Sequence, residues 1–255
     1  MPTVEFPMLD YVLPIIVVHQ DDVARSFEGT GVVVAPGLFI TCWHCVRNPL
    51  QSGEYYAALH MPEAERGPFR ILDLLNISQD EGGTDLALAN IRYKPPAPLQ
   101  FDEDSHAFGV DVWTRGYRSD GRTAEGLSVT PRFLKGYITR PFKHSTGFGI
   151  TDAYEVDLPA PAGTSGAPIF RGQTAKLKGL VYGEVETYSI TDFERVEPET
   201  GEREPEVRKV ISFAVAHRTE TLMNAHAAPT GGLTVLKYVR RSIGSGPEAA
   251  GEQNR

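Results

Sequence analysis

An all-β fold is predicted by three observations: short apolar runs rich in β-branched residues, turn-forming Gly, Pro, Asn and Asp between them, and scarce helical periodicity. The first run, Val12-Leu13-Pro14-Ile15-Ile16-Val17-Val18, follows Glu5 and Asp10 with no basic residue before it. A secretory leader wants a basic start and a longer apolar centre, so the run reads as a first strand. Gly31-Val32-Val33-Val34 and Leu38-Phe39-Ile40-Thr41 flank Ala35-Pro36-Gly37. Pro presets φ at the first central turn position and Gly accepts positive φ at the second, so this pair reads as a hairpin. Further runs lie at 86–91, 109–114, 134–139, 153–157, 167–170, 178–183 and 210–216. Their spacing suits a barrel or a sandwich. One short helix is expected from Thr219 to Ala227, with Thr219 as its cap.

Tyr93-Lys94-Pro95-Pro96-Ala97-Pro98 is the expected linker, because prolines cannot donate to a sheet ladder and favour extended backbone. It divides the chain into 1–98 and 99–240. The remainder, 241–255, is rich in Gly, Ser, Glu and Ala and is expected to be a disordered tail. The acidic stretch from Glu184 to Glu206 is expected to be a long loop or a projecting hairpin.

With 255 residues the chain can bury a substantial core without disulfides or metals. Apolar content of 41% and charged content of 23% suit a globular protein. Lys and Arg number 25 against 33 Asp and Glu, a net charge of −8. That balance argues against a nucleic-acid surface and in favour of solubility. No segment reaches the roughly 18–20 apolar residues of a membrane span. Two cysteines, Cys42 and Cys45, make no disulfide framework, which places the chain most simply in a reducing cytoplasm.

Three segments carry chemistry: Thr41-Cys42-Trp43-His44-Cys45, Gly83-Thr84-Asp85-Leu86-Ala87-Leu88 and Gly163-Thr164-Ser165-Gly166-Ala167-Pro168. They place a histidine, an aspartate and a serine in that chain order. A serine hydroxyl is a poor nucleophile until a base takes its proton and a third group orients that base. His44 follows an apolar strand directly. Asp85 begins an apolar run, where an unpaired charge is costly and a histidine Nδ1–H is the natural partner. The plainer alternative is an Asp that caps the Gly82-Gly83-Thr84 turn. Gly163 can take backbone angles closed to other residues, which lets the Gly163 and Ser165 amides converge on one oxyanion.

The order His, Asp, Ser is that of the trypsin-like proteases. All three segments resemble the trypsin-like (chymotrypsin-fold) serine peptidase family, over roughly residues 10–235. The family pattern has His after a Thr-Ala-Ala-type strand end, Asp before Leu-Ala-Leu, and Ser in Gly-x-Ser-Gly. The chain looks closest to bacterial, disulfide-poor members, including HtrA-type protease domains. The resemblance implies two antiparallel β-barrels with the active site in the cleft between them. It makes His44 the general base and then acid, Asp85 its orienter, Ser165 the nucleophile, and the Gly163 and Ser165 amides the oxyanion hole. It also implies a pocket for the side chain before the scissile bond. Its walls are Pro159, Ala160, Pro161 and Ala162; Val181, Tyr182, Gly183 and Glu184; and Ser212, Phe213 and Ala214 within the stretch to Ala216. Small apolar walls favour an aliphatic residue there, and Glu184 favours a basic one.

Thr164 stands where secreted members often carry the Asp that pairs with a new N-terminus, so zymogen activation of that kind is not expected. Cys45 matches the family cysteine after the catalytic His. Its usual partner falls near Gly29, so a reduced thiol is expected. No PDZ-like segment follows, so peptide regulation in cis is not expected.

Cys42-Trp43-His44-Cys45 is formally a C-x-x-C, but Val46-Arg47-Asn48-Pro49 breaks early and no βαβ setting follows. No second Cys or His pair stands at zinc spacing, so neither a metal nor a cofactor is expected. Gly29-Thr30-Gly31 runs into a strand and lacks a third glycine, unlike a dinucleotide fingerprint. His19, His60, His106, His144, His217 and His226 read as solvated or structural. Asn76-Ile77-Ser78 is a glycosylation sequon. The expected function is therefore an endopeptidase acting on polypeptides through an acyl-enzyme, with a regulatory protein partner possible. The alternative is a binding or scaffold module on the same fold.

Overall fold

A computed structural model describes residues 10–21, 23–60, 69–105, 107–123, 126–196 and 203–244. His106 and residues 245–255 of the expected tail lie outside these. Twelve strands form two closed antiparallel barrels, each of six strands. The first holds β1 (Val12–His19), β2 (Ala24–Ala35), β3 (Leu38–Cys42), β4 (Glu54–His60), β5 (Arg70–Gln79) and β6 (Leu86–Ile91), in the order β1-β2-β3-β6-β5-β4. The second holds β7 (Asp111–Thr123), β8 (Gly126–Thr146), β9 (Gly149–Val156), β10 (Pro168–Arg171), β11 (Lys176–Val196) and β12 (Arg203–Arg218), in the order β10-β11-β12-β9-β8-β7. Closure leaves no exposed sheet edge around either barrel.

The β2–β3 hairpin forms around Pro36-Gly37, with Ala35 paired to Leu38. Strands β4 and β5 have no counterpart among the expected runs. In β5, Ile71 and Leu75 face solvent and Asp73 and Asn76 break the apolar pattern, so strict alternation is missing. The sequon at Asn76 lies in this strand.

The acidic stretch is a hairpin. β11 and β12 stay paired out to Val196↔Arg203. β10 pairs β11 only up to Leu180, and β9 pairs β12 only from Ala214. Beyond these points the two strands form an arm.

Three helices complete the chain: α1 (Trp43–Val46), α2 (Thr219–Asn224) and α3 (Val235–Gly244). α2 corrects the expected helix at both ends. Arg218 occupies the cap position without a side-chain bond, and the Thr219 hydroxyl donates instead to Lys178 O (2.6 Å). A buried hydroxyl takes the nearest carbonyl acceptor, and here that acceptor lies across the sheet. α3 was not expected. Val235 and Val239 are buried one turn apart, and with Leu236 and Ile243 they mark an apolar stripe at helical spacing. Its Tyr238 hydroxyl donates to Pro36 O in the first barrel (3.2 Å). Leu222, Ala225, Ala227, Val235 and Val239 belong to an apolar cluster that β1–β6 share with Tyr117, Phe170, Leu180 and Val215 of the second barrel. No helix among the described residues is long and apolar enough to cross a membrane.

Candidate active site

Asp80, not Asp85, answers the turn before β6. Its Oδ2 accepts from Thr84 Oγ1 (2.8 Å), its Oδ1 from His226 N–H (3.0 Å), and its carbonyl from Gly83 N–H (2.9 Å). That leaves the Asp85 carboxylate, 4% exposed, for α1. It accepts from His44 N–H at Oδ1 (3.0 Å) and meets His44 Nδ1 at Oδ2 (2.6 Å). Both contacts come from one residue because α1 follows β3 with no intervening loop. A carboxylate only accepts, so Nδ1 carries the hydrogen and Nε2 is left as an acceptor. The ring stays 31% exposed. Burial lowers the basicity of His44, but the Asp85 bond and then the neighbouring Cys45 outweigh it and raise its pKa to about 10. Burial pushes the Cys42 thiol up, while the bond with Cys42 brings the Cys45 thiol down.

Ser165 stands on a loop of two tight turns before β10. Thr164 N–H donates to Pro161 O (3.0 Å) and Ala167 N–H to Thr164 O (2.8 Å). Gly163 has φ +96° and Gly166 has φ +84°. A Cβ at Gly163 would lie 2.4 Å from the Phe27 ring and 2.7 Å from Tyr117 O, so only glycine fits between them. Among the described residues, neither Gly163 N–H nor Ser165 N–H donates within the protein. Two unpaired amides on one loop are what an oxyanion site requires.

Thr30 on β2 holds this loop from the other barrel. Its N–H donates to Ser165 O (2.9 Å), and its Oγ1 donates to Gly163 O (2.8 Å) and accepts from Tyr117 N–H (3.1 Å). Its carbonyl accepts from Thr41 Oγ1 (2.7 Å). Nothing in the sequence singled Thr30 out, since a threonine in a β-rich run is ordinary. Thr30→Val keeps the shape but strands a buried N–H and a buried carbonyl, which costs about 1–3 kcal/mol for each group left unpaired. Thermal denaturation should show that loss, together with a fall in turnover if the loop shifts. An unchanged melt would mean these bonds do not position the loop.

Of the three candidate catalytic residues, His44 and Asp85 are in direct contact. Ser165 makes no hydrogen bond to either of them; its carbonyl lies 3.8 Å from Cys45 Sγ, one residue after His44. Among the described residues the Ser165 hydroxyl makes no hydrogen bond, and bonds of this type often tighten only with substrate. Of the expected pocket residues, Pro159, Ala162 and Glu184 are exposed and Ala160, Pro161, Gly183, Ser212 and Phe213 are half-buried. Val181, Tyr182 and Ala214 are buried and back the wall from the core. The Tyr182 hydroxyl pairs with His144 Nδ1 (2.9 Å), and its ring lies tilted against the buried His217 with centroids 4.2 Å apart. Burial lowers the His217 pKa to about 4, so that ring is neutral. A separate cleft of about 430 Å³ lies against the loop, lined by Phe27, Glu28, Arg118, Ser119, Ala162 and Gly163.

A Cβ built on Gly29 would lie 2.7 Å from Cys45 Sγ and 3.4 Å from Cys45 Cβ. Disulfide Cβ atoms sit about 3.5–4.5 Å apart, so a cysteine at 29 faces Cys45 at nearly bonding geometry. Under oxidising conditions Gly29→Cys should close a loop of about 16 residues, worth about 3 kcal/mol. Thiol titration should then find one free thiol; finding three would refute the facing geometry.

A trypsin-like peptidase domain family matches residues 29–180, more than half of the chain. The chain belongs to that family. No curated protein matches the sequence. Among solved structures, the chain is similar to the active form of the Rv3671c protease of M. tuberculosis, at 17% identity and a TM-score of 0.55, covering 86% of this chain and 81% of that one. It is also similar to the apo MamO protease domain of Magnetospirillum magneticum, at 17% identity and a TM-score of 0.52, covering 84% of this chain and 95% of that one. These likenesses establish the two-barrel fold.

Proposed function

We propose that the protein is a serine endopeptidase. One observation carries the reading: a doubly bonded His44–Asp85 pair stands beside a loop that offers Ser165 and two unpaired amides. In this reading His44 Nε2 takes the Ser165 proton as Oγ attacks a peptide carbonyl. The oxyanion receives the Gly163 and Ser165 N–H groups. Asp85 stabilises the imidazolium, which then protonates the leaving amine. Water hydrolyses the acyl-enzyme by the same proton path. A fluorophosphonate probe should label Ser165 and leave Ser165→Ala untouched. Folded protein that stays unlabelled would overturn the reading.

The base must be neutral, so the rate climbs as pH rises through the His44 pKa. Asp85 raises that pKa above the ordinary value of about 6.5. A kcat/KM profile should therefore have its ascending midpoint above 6.5, and a midpoint at or below that value would contradict the Asp85 bond. The same shift favours folding fully below about 6.5, and that contribution is lost as pH rises through about 10.

The small wall from Pro159 to Ala162 suits an aliphatic side chain before the scissile bond. Glu184, which accepts from Ser212 Oγ (2.7 Å), offers a carboxylate to a basic one. Cleavage-site profiling with a peptide library separates the two. Gating by a protein partner is a second reading, motivated by the β11–β12 arm, whose outer edges pair with no third strand among the described residues. Protein that is labelled only after a partner is added would favour it.

A further inference from the structure

We propose that Cys42, His44 and Asp85 form a site for a thiophilic divalent cation, zinc above all, whose binding reversibly silences His44. The sulfur, ring-nitrogen and carboxylate-oxygen atoms of these residues lie within 4.8 Å of one another. They sit on rigid ground. Cys42 ends β3 and Asp85 directly precedes β6, and Cys42 pairs with Leu86 across the two strands. His44 stands two residues after Cys42, on α1. Cys42 is fully buried, and its thiol lies against Val181 O at 3.3 Å and against the Cys45 thiol. The other buried thiol, Cys45, lies toward Ser165 O and Gly29.

Zinc takes sulfur at about 2.3 Å and nitrogen or carboxylate oxygen at about 2.0–2.2 Å, with tetrahedral ligand atoms roughly 3.3–3.6 Å apart. The Nδ1–Oδ2 pair has to open from 2.6 Å. The partly exposed His44 ring can turn to do so, and its open side leaves a fourth position for water. Charge also fits. A thiolate and a carboxylate cancel the two positive charges of the ion. As the Zn–S bond forms, the S–H bond breaks and its proton leaves to solvent. As the Zn–N bond forms at Nδ1, the ring hydrogen passes through solvent to Nε2. A protonated Nε2 cannot accept from Ser165, so the base is lost until the ion is removed.

The inhibition rests on the peptidase reading; the binding does not. Purified full-length protein is titrated with Cd²⁺, and sulfur-to-metal ultraviolet absorption is followed. The wild type should gain this absorption with a single ion per chain, and Cys42→Ala and Cys42→Ser should not. In parallel, Zn²⁺ should block fluorophosphonate labelling of the wild type and a chelator should restore it. Cys42→Ala, which places at 42 the residue of the Thr-Ala-Ala pattern, should need at least about tenfold more Zn²⁺. Absorption that persists in both variants that melt like the wild type, or equal Zn²⁺ sensitivity in wild type and Cys42→Ala, would overturn the site. Absorption in a protein that never labels, even without metal, would tell against the peptidase reading alone.

Discussion

Ser165→Ala should lower turnover by about 10⁶ while leaving the melting temperature almost unchanged. The residue is half-buried, and its hydroxyl makes no bond among the described residues that folding would miss. Its structural duties are carried by the main chain, whose carbonyl accepts from Thr30 N–H. Losing Oγ removes only the atom proposed to attack. A residual rate above that of water would persist from binding and from the two loop amides. Steady-state kinetics on a profiled peptide, with a melt run alongside, checks both halves. Turnover within about tenfold of the wild type would mean that Ser165 is not the nucleophile.

Gly166→Ala should have the largest effect on folding. The added Cβ would lie 1.9 Å from Thr30 O and 2.4 Å from Thr41 Oγ1, in a backbone with φ +84°. The main chain cannot yield without breaking the Thr41–Thr30 bond and the Gly166 N–H bond to Val181 O (2.7 Å). Strain at φ above zero adds about 1–2 kcal/mol for an L residue. Together these should cost about 3 kcal/mol or more, roughly 6–12 °C in Tm for a chain of this size. A melt within about 2 °C of the wild type would mean that the loop is looser than its hydrogen bonds imply.

Of the site, the His44–Asp85 contact was legible in local motifs. His44, Asp85 and Ser165 each sit in a short segment whose neighbours announce a strand end or a glycine turn, and Cys45 pointed to Gly29 as the position facing it. What was not legible depends on chain crossings. Thr30 matters because two barrels bring β2 against the Ser165 loop, and no spacing in the sequence encodes that encounter. Asp80 and Asp85 look alike as turn carboxylates until His226 arrives from the far end of the chain to bond one of them. β4 escaped because Tyr56, Ala57 and Ala58 are buried in a row without alternation, and β5 because its exposed Ile71 and Leu75 blur the pattern; α3 does carry a helical period, in Val235, Val239 and Ile243.

The return of the C-terminal segment to the first barrel has a consequence for synthesis. Residues 12–91 leave the ribosome early enough to begin collapsing while the second barrel is still unmade. Yet Leu222, Ala225, Ala227, Val235 and Val239 share one apolar cluster with first-barrel residues such as Val34, Leu38 and Ile91. A nascent chain must therefore keep one apolar flank uncovered until residues 222–239 have been made. A truncation that spared every proposed catalytic group would still strip the earliest-made portion of its seal.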